Sequence, residues 1–97
     1  YAKKAGLDLD SILTTVGAGS AANWSLSNYG PRILASDYTP GFFAKHFLKD
    51  LRIALDSAKD MGIHLPATEK AEELYQTMVD EFKLGNDGTQ GLIKIYD

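Results

Sequence analysis

Nothing constrains this chain more than the stretch from Gly41 to Gly62, GFFAKHFLKDLRIALDSAKDMG. Placed at about 100° per residue, Phe43, Phe47, Leu51, Ala54, Leu55, Ala58 and Met61 fall on one broad arc, which predicts a helix with a core-facing side. Lys45, Lys49, Arg52, Asp56, Lys59 and Asp60 fall opposite. The helix is therefore amphipathic and turns most of its charge away from the domain's own interior. Gly41 and Gly62 bound it, Gly62 at the position where a left-handed residue ends a helix. Lys49 lies in the middle of the polar face. Its neighbour Asp50 lands at the edge of the apolar arc, flanked on the wheel by Phe43, His46 and Ser57, and a carboxylate at a core boundary requires a partner.

The rest of the chain reads as shorter helices. Tyr1 to Ala5 reads as the last turn of an incoming helix that ends at Gly6, which leads us to expect a piece of a longer protein. Asp8 caps the next helix, with Leu9, Ile12, Leu13 and Val16 on one side, and Gly17-Ala18-Gly19 breaks it. Ser20 is placed to cap a segment carrying Ala21, Trp24 and Leu26, with Trp24 read as a core anchor. Asn28-Tyr29-Gly30-Pro31 reads as a turn, Arg32 to Ala35 as one more helical turn, and Ser36 to Gly41 as a loop rich in breakers. Beyond Gly62, Ile63 to Pro66 is a connector. Thr68 is the expected cap of a helix that keeps its spacing through Ala71, Leu74, Tyr75, Met78, Val79 and Phe82 to Leu84, with Gly85 ending it. Asn86-Asp87-Gly88 is a turn, and Leu92, Ile93 and Tyr96 suggest a closing helix that runs to Asp97. No segment alternates in polarity as a strand does. The reading is an all-α, multi-helical fold of five or six helices, the central one antiparallel to its successor.

Composition excludes several classes. Ninety-seven residues suffice for one modest domain. A net charge of −3 without any long like-charged run disfavours nucleic acid. The apolar runs are too short to span a bilayer. There is no cysteine, so neither a disulfide framework nor a thiolate metal site is available, and a cytoplasmic location is expected.

Each candidate for chemistry has a bland counterpart. His46 and His64 are the only histidines and lie far apart, without the spacing of a metal site, so no metal is expected. Gly17-Ala18-Gly19-Ser20 lacks the preceding strand and the lysine of a phosphate loop. Ser25 and Ser27 have no partnered base in view. Lys49, from spacing alone, is an ordinary solvated lysine.

One resemblance changes those weights. KAGLD, a Trp- and Asn-containing helix, GFFAKHFLKDLRIAL, GIHLPAT and AEELY follow one another in this order, and together they resemble the C-terminal domain of the β-hydroxyacid dehydrogenase family, to which 3-hydroxyisobutyrate dehydrogenase and tartronate semialdehyde reductase belong. The similarity covers essentially all 97 residues and is most specific over Phe42 to Leu51 and over Leu65 to Tyr75. It implies a helical C-terminal domain of the 6-phosphogluconate dehydrogenase type over 1–97, preceded in the parent protein by a Rossmann domain and a long interdomain helix. It implies NAD or NADP as cofactor, a small hydroxy acid as substrate, and a homo-oligomer with neither nucleic acid nor membrane as partner. The family's catalytic lysine belongs to the interdomain helix, so no catalytic residue is expected in this chain, and neither Lys3 nor Lys4 takes that role. Lys49, in KDL, matches the family lysine that contacts the cofactor. Phe42 and Asp50 match positions that line the substrate pocket.

The parent is thus expected to transfer a hydride between NAD(P) and a small 3-hydroxy acid, and residues 1–97 alone are expected to be inactive. A non-catalytic helical interaction or oligomerisation domain derived from the same family is the alternative. A lysine on the preceding helix and a glycine-rich dinucleotide turn upstream would discriminate in favour of the enzyme.

Overall fold

The computed structural model describes residues 1–96, which divide into two compact units, one from Tyr1 to Asp37 and one from Tyr38 onward. The described residues form α1 (Leu9–Gly17), α2 (Trp24–Leu34), α3 (Ala44–Met61), α4 (Pro66–Gln76), a π-helical turn (Thr77–Glu81) and a 3-10 helix (Thr89–Tyr96). The expected all-helical class holds among the described residues, and no helix among them is long and apolar enough to cross a membrane. The expected end of the closing helix, Asp97, lies outside the described residues.

In the first unit the chain opens on a helical turn. Ala5 N donates to Tyr1 O, Leu7 N to Ala2 O and Gly6 N to Lys3 O, with Gly6 at φ 72°, the bond pattern that closes a helix C-terminus. Asp8 then caps α1 as expected, its carboxylate accepting from Ser11 N at 3.0 Å. The cap of α2 is Asn23 rather than Ser20: its side-chain oxygen accepts from Leu26 N at 2.8 Å.

The expected turn at Asn28 to Pro31 is absent, because α2 runs through it to Leu34. Gly30 is buried, and a Cβ there would stand 2.8 Å from Leu13 Cδ2 of α1. Glycine is selected by helix contact and not by a turn, and tertiary packing overrides the local breaker signature. Trp24 also departs from expectation. It is 66% exposed, with its ring edge-on to Tyr29 at 5.3 Å, and does not anchor a core.

In the second unit α3 buries Ala44, Leu48 and Ala58 and half-buries Phe47, Leu51 and Leu55. The buried stripe is turned roughly 50° from the arc read off the sequence, which had included Phe43, Ala54 and Met61 and left out Leu48. The cause is where α4 lies. Phe47 packs its ring perpendicular to Tyr75 at 4.9 Å, and Arg52 Nε pairs with Glu72 Oε1 at 2.9 Å. These two contacts flank the strip containing Leu48, Leu51 and Leu55. They also pair later residues of α3 with earlier ones of α4, as an antiparallel arrangement requires. Phe43 precedes the helix in extended conformation (φ −68°, ψ 136°), so helical phase does not apply to its side chain.

Gly62 ends α3 at φ 70°, and Ile63 N returns to Ala58 O at 2.8 Å. Pro66 stands in the first turn of α4, where its missing N–H costs no helical bond. Thr68 is therefore a first-turn residue, not the cap. Past Gln76 the bonding widens: Phe82 N donates to Thr77 O at 3.1 Å, the i to i−5 pattern of a π turn. Lys83 at φ 58° turns the chain out, in place of the glycine ending expected at Gly85. Within the π turn Met78 is the largest fully buried side chain. A Cβ at Gly91 would stand 3.0 Å from Met78 Cε, so the glycine lets the 3-10 helix settle on that methionine.

Candidate functional site

Lys49 and Asp50 occupy the side of α3 turned away from the buried stripe. Their side chains are 62% and 48% exposed, and Lys49 Nζ lies 3.1 Å from Asp50 Oδ1. Consecutive helical residues point about 100° apart, and the long lysine stem spans the gap. Asp50 therefore meets its partner requirement at the surface. The expectation of an apolar-edge carboxylate is corrected: the buried stripe is centred farther round α3 from Asp50, and Phe43, extended ahead of the helix, has no helical phase to place it there.

Phe42 lies two residues ahead of α3. Its ring is 6.1 Å from Phe47 in an edge-on arrangement and 6.5 Å from His46. His46 is exposed and also approaches Phe43 at 5.3 Å. It precedes Lys49 by three residues and Asp50 by four, so it shares their face and links them to Phe42. That spacing was present in the sequence, and it is the signal by which His46 belongs with the three residues read from it.

The start of α3 has no side-chain cap. Backbone groups from residues 85–89 replace one: Ala44 N donates to Asp87 O at 2.9 Å, Lys45 N to Gly85 O at 3.1 Å, and Thr89 N to Phe42 O at 3.1 Å. An isolated antiparallel bridge joins Phe43 to Gly88. Otherwise orphaned amides of the first turn are thereby satisfied, and the position of Phe42 is fixed by the loop after the π turn. Tyr75 adds a link, its hydroxyl donating to Thr89 O at 3.0 Å.

The chemistry available on this face is recognition. An exposed ammonium with donors to spare suits a phosphate, hydroxyl or amide oxygen, and a neighbouring aromatic ring suits the exclusion of water. Among the described residues no group of three or more His, Cys, Asp or Glu is placed to hold a metal ion.

Because Asp50 is exposed, Asp50→Ala is expected to melt within about 0.5 kcal/mol of the parent chain, as surface substitutions do. Any loss should fall on ligand binding alone. A melting curve that drops by several degrees would show that the carboxylate carries structure after all.

The second unit thus presents Lys49, Asp50, His46 and Phe42 outside its buried stripe. A family profile described as the NAD-binding domain of NADP-dependent 3-hydroxyisobutyrate dehydrogenase matches residues 1–96. The chain belongs to that family of oxidoreductases. It is 41% identical over 96 residues to an uncharacterized oxidoreductase of Bacillus subtilis, covering 99% of this chain and 33% of the relative. It is 42% identical over 93 residues to a mitochondrial 3-hydroxyisobutyrate dehydrogenase-like protein of Arabidopsis thaliana, covering 96% and 28%. The crystal structure of 3-hydroxyisobutyrate dehydrogenase from Salmonella typhimurium superposes with a TM-score of 0.89 at 29% identity, over 97% of this chain and 33% of that one. The chain thus spans about a third of the length of the relatives it matches.

Proposed function

We propose that this chain is the helical C-terminal domain, of the 6-phosphogluconate dehydrogenase type, of an NAD(P)-dependent dehydrogenase acting on a small 3-hydroxy acid. The observation that carries the reading is the family match over residues 1–96 combined with a lysine, Lys49, held out on the face that the unit's own core does not use. Bound nicotinamide cofactor supplies the hydride acceptor or donor. Lys49 would hold it by its ammonium, through a charge-assisted hydrogen bond to a phosphate, hydroxyl or amide oxygen. Asp50 accepts from Lys49 and limits its rotamers, so less freedom is lost on binding. Phe42 supplies the apolar part of the substrate wall and Asp50 a polar part, with the His46 imidazole beside Phe42. None of these groups is assigned the proton transfer at the hydroxyl, which the family resemblance gives to a lysine on the interdomain helix. Self-association belongs to the same reading, since Ile53 and Met61 stand 57% and 65% exposed on the outer side of α3.

The test is an assay of the full-length protein against small 3-hydroxy acids and their 2-hydroxy isomers with NAD and with NADP. Cofactor reduction with a 3-hydroxy acid is expected, and none by residues 1–97 alone. A full-length protein that reduces neither cofactor with any 3-hydroxy acid would refute the reading and favour the interaction domain.

A further inference from the structure

We infer that Lys94, in the closing 3-10 helix, is a positioning residue for the substrate wall: through Asp87 and Tyr38 it holds the loop that caps α3 and thereby sets Phe42. The inference rests on the reading of Phe42 as part of the substrate pocket.

Lys94 Nζ lies 2.7 Å from Asp87 Oδ2 and 4.2 Å from the centroid of the Tyr38 ring. Both carboxylate and ammonium are partly withdrawn from solvent, with side chains 27% and 32% exposed, so screening weakens the pair less than it weakens Lys49–Asp50. The two groups Lys94 touches belong to the two segments that converge on the start of α3. Asp87 gives its carbonyl to Ala44 N, and Gly88 N donates to Tyr38 O at 2.8 Å. Thr89, two residues past Asp87, holds the carbonyl of Phe42.

One ammonium therefore joins the incoming segment at Tyr38 to the capping loop at Asp87, and the capping loop holds Phe42 on one side and Ala44 on the other. Without the charge, the loop would keep Gly88 N to Tyr38 O and Gln90 Nε2 to Thr39 O as lateral ties but lose the side-chain clamp at Asp87, so the first amides of α3 would open more often and Phe42 would sample several positions. Lys49 lies in the second turn of α3, where the helix's own bonds hold it. The effect should thus fall on the hydroxy acid and spare the cofactor.

The experiment uses the full-length protein with Lys94→Met, which keeps the stem and removes the charge, and Asp87→Asn, which keeps the backbone carbonyl and removes the carboxylate charge. Lys94→Arg serves as rescue, since a guanidinium can both pair with the carboxylate and stack on Tyr38. Amide hydrogen exchange at Ala44 and Lys45 should quicken about tenfold in Lys94→Met and Asp87→Asn, and return in Lys94→Arg. The hydroxy-acid KM should rise about fivefold or more while the cofactor KM stays within about twofold. Unchanged exchange at Ala44 and Lys45 would overturn the inference and leave the proposed function standing. Equal losses in both KM values without rescue by arginine would reduce Lys94 to general stability and overturn it too. A Phe42→Ala variant with an unaltered hydroxy-acid KM would remove Phe42 from the substrate wall, and the inference with it. If one of the two charge-removing variants fails to fold, the other carries the measurement.

Discussion

Replacing Lys49 by alanine in the full-length protein is expected to raise the apparent KM for cofactor and to lower kcat/KM about tenfold or more, the loss of one charge-assisted contact of roughly 1.5–3 kcal/mol. Folding should hardly respond. Lys49 is 62% exposed and its ion pair with Asp50 lies at the surface, where such pairs contribute about 0–1 kcal/mol. Activity and stability should therefore separate cleanly at this residue. Steady-state kinetics with the cofactor as varied substrate, beside a thermal melt, decide the matter. Cofactor kinetics identical to those of the parent would show that this face of α3 does not line the cleft.

The largest expected effect on stability lies in the π turn. Met78 is 0% exposed, and truncation to alanine removes its buried atoms and leaves a cavity that the 3-10 helix on Gly91 can only partly close. Met78→Ala is expected to destabilise by about 2–5 kcal/mol. At about 4 °C or more per kcal/mol for a domain of this size, the melting temperature should fall by about 8 °C or more. Met78→Leu, similar in volume, should cost less than about 1.5 kcal/mol. Alanine and leucine variants that melt alike would mean that the site relaxes freely and is not packed as described.

How much of this was legible beforehand differs from element to element. The period of α3 was plain in the sequence, but its phase was not, because a wheel cannot know which neighbour covers it. The side packed by α4, between Phe47 and Arg52, decides that Leu48 is inside and Met61 outside. Gly30-Pro31 has the local chemistry of a turn, and only the approach of Leu13 reveals that the glycine serves a helix contact. The spacing of Ala21, Trp24 and Leu26 suggests an inward Trp24, but α2 starts at Trp24 itself and leaves its ring exposed. Pro66 pre-set the start of α4 more strongly than the hydroxyl of Thr68. The π turn has no composition signal.

At the candidate site, the exposure of Lys49 followed from its place on the polar face, and the family resemblance supplied its role together with those of Phe42 and Asp50. What could not be read was how Phe42 is held. Its partners are backbone groups from a loop distant in sequence, and backbone hydrogen bonds carry no side-chain signature. Asp87 and Lys94 stood in the sequence only as a turn residue and a charge on a short helix.

The carbonyl caps at the start of α3 make the length of the loop from Gly85 to Thr89 a structural parameter in itself. A helix closed by serine or aspartate depends on the identity of one residue, whereas α3 is closed by the spacing of peptide groups between Gly85 and Thr89. At Asn86 such a lock reads length in place of letters. The exposed Asn86 side chain takes no part in these carbonyl and amide contacts, so many residues satisfy the lock at that position. One residue added or deleted would instead carry the Asp87 carbonyl past Ala44 and shift the Thr89 amide from Phe42. At Asn86 the fold therefore tolerates a change of side chain far better than a change of loop length.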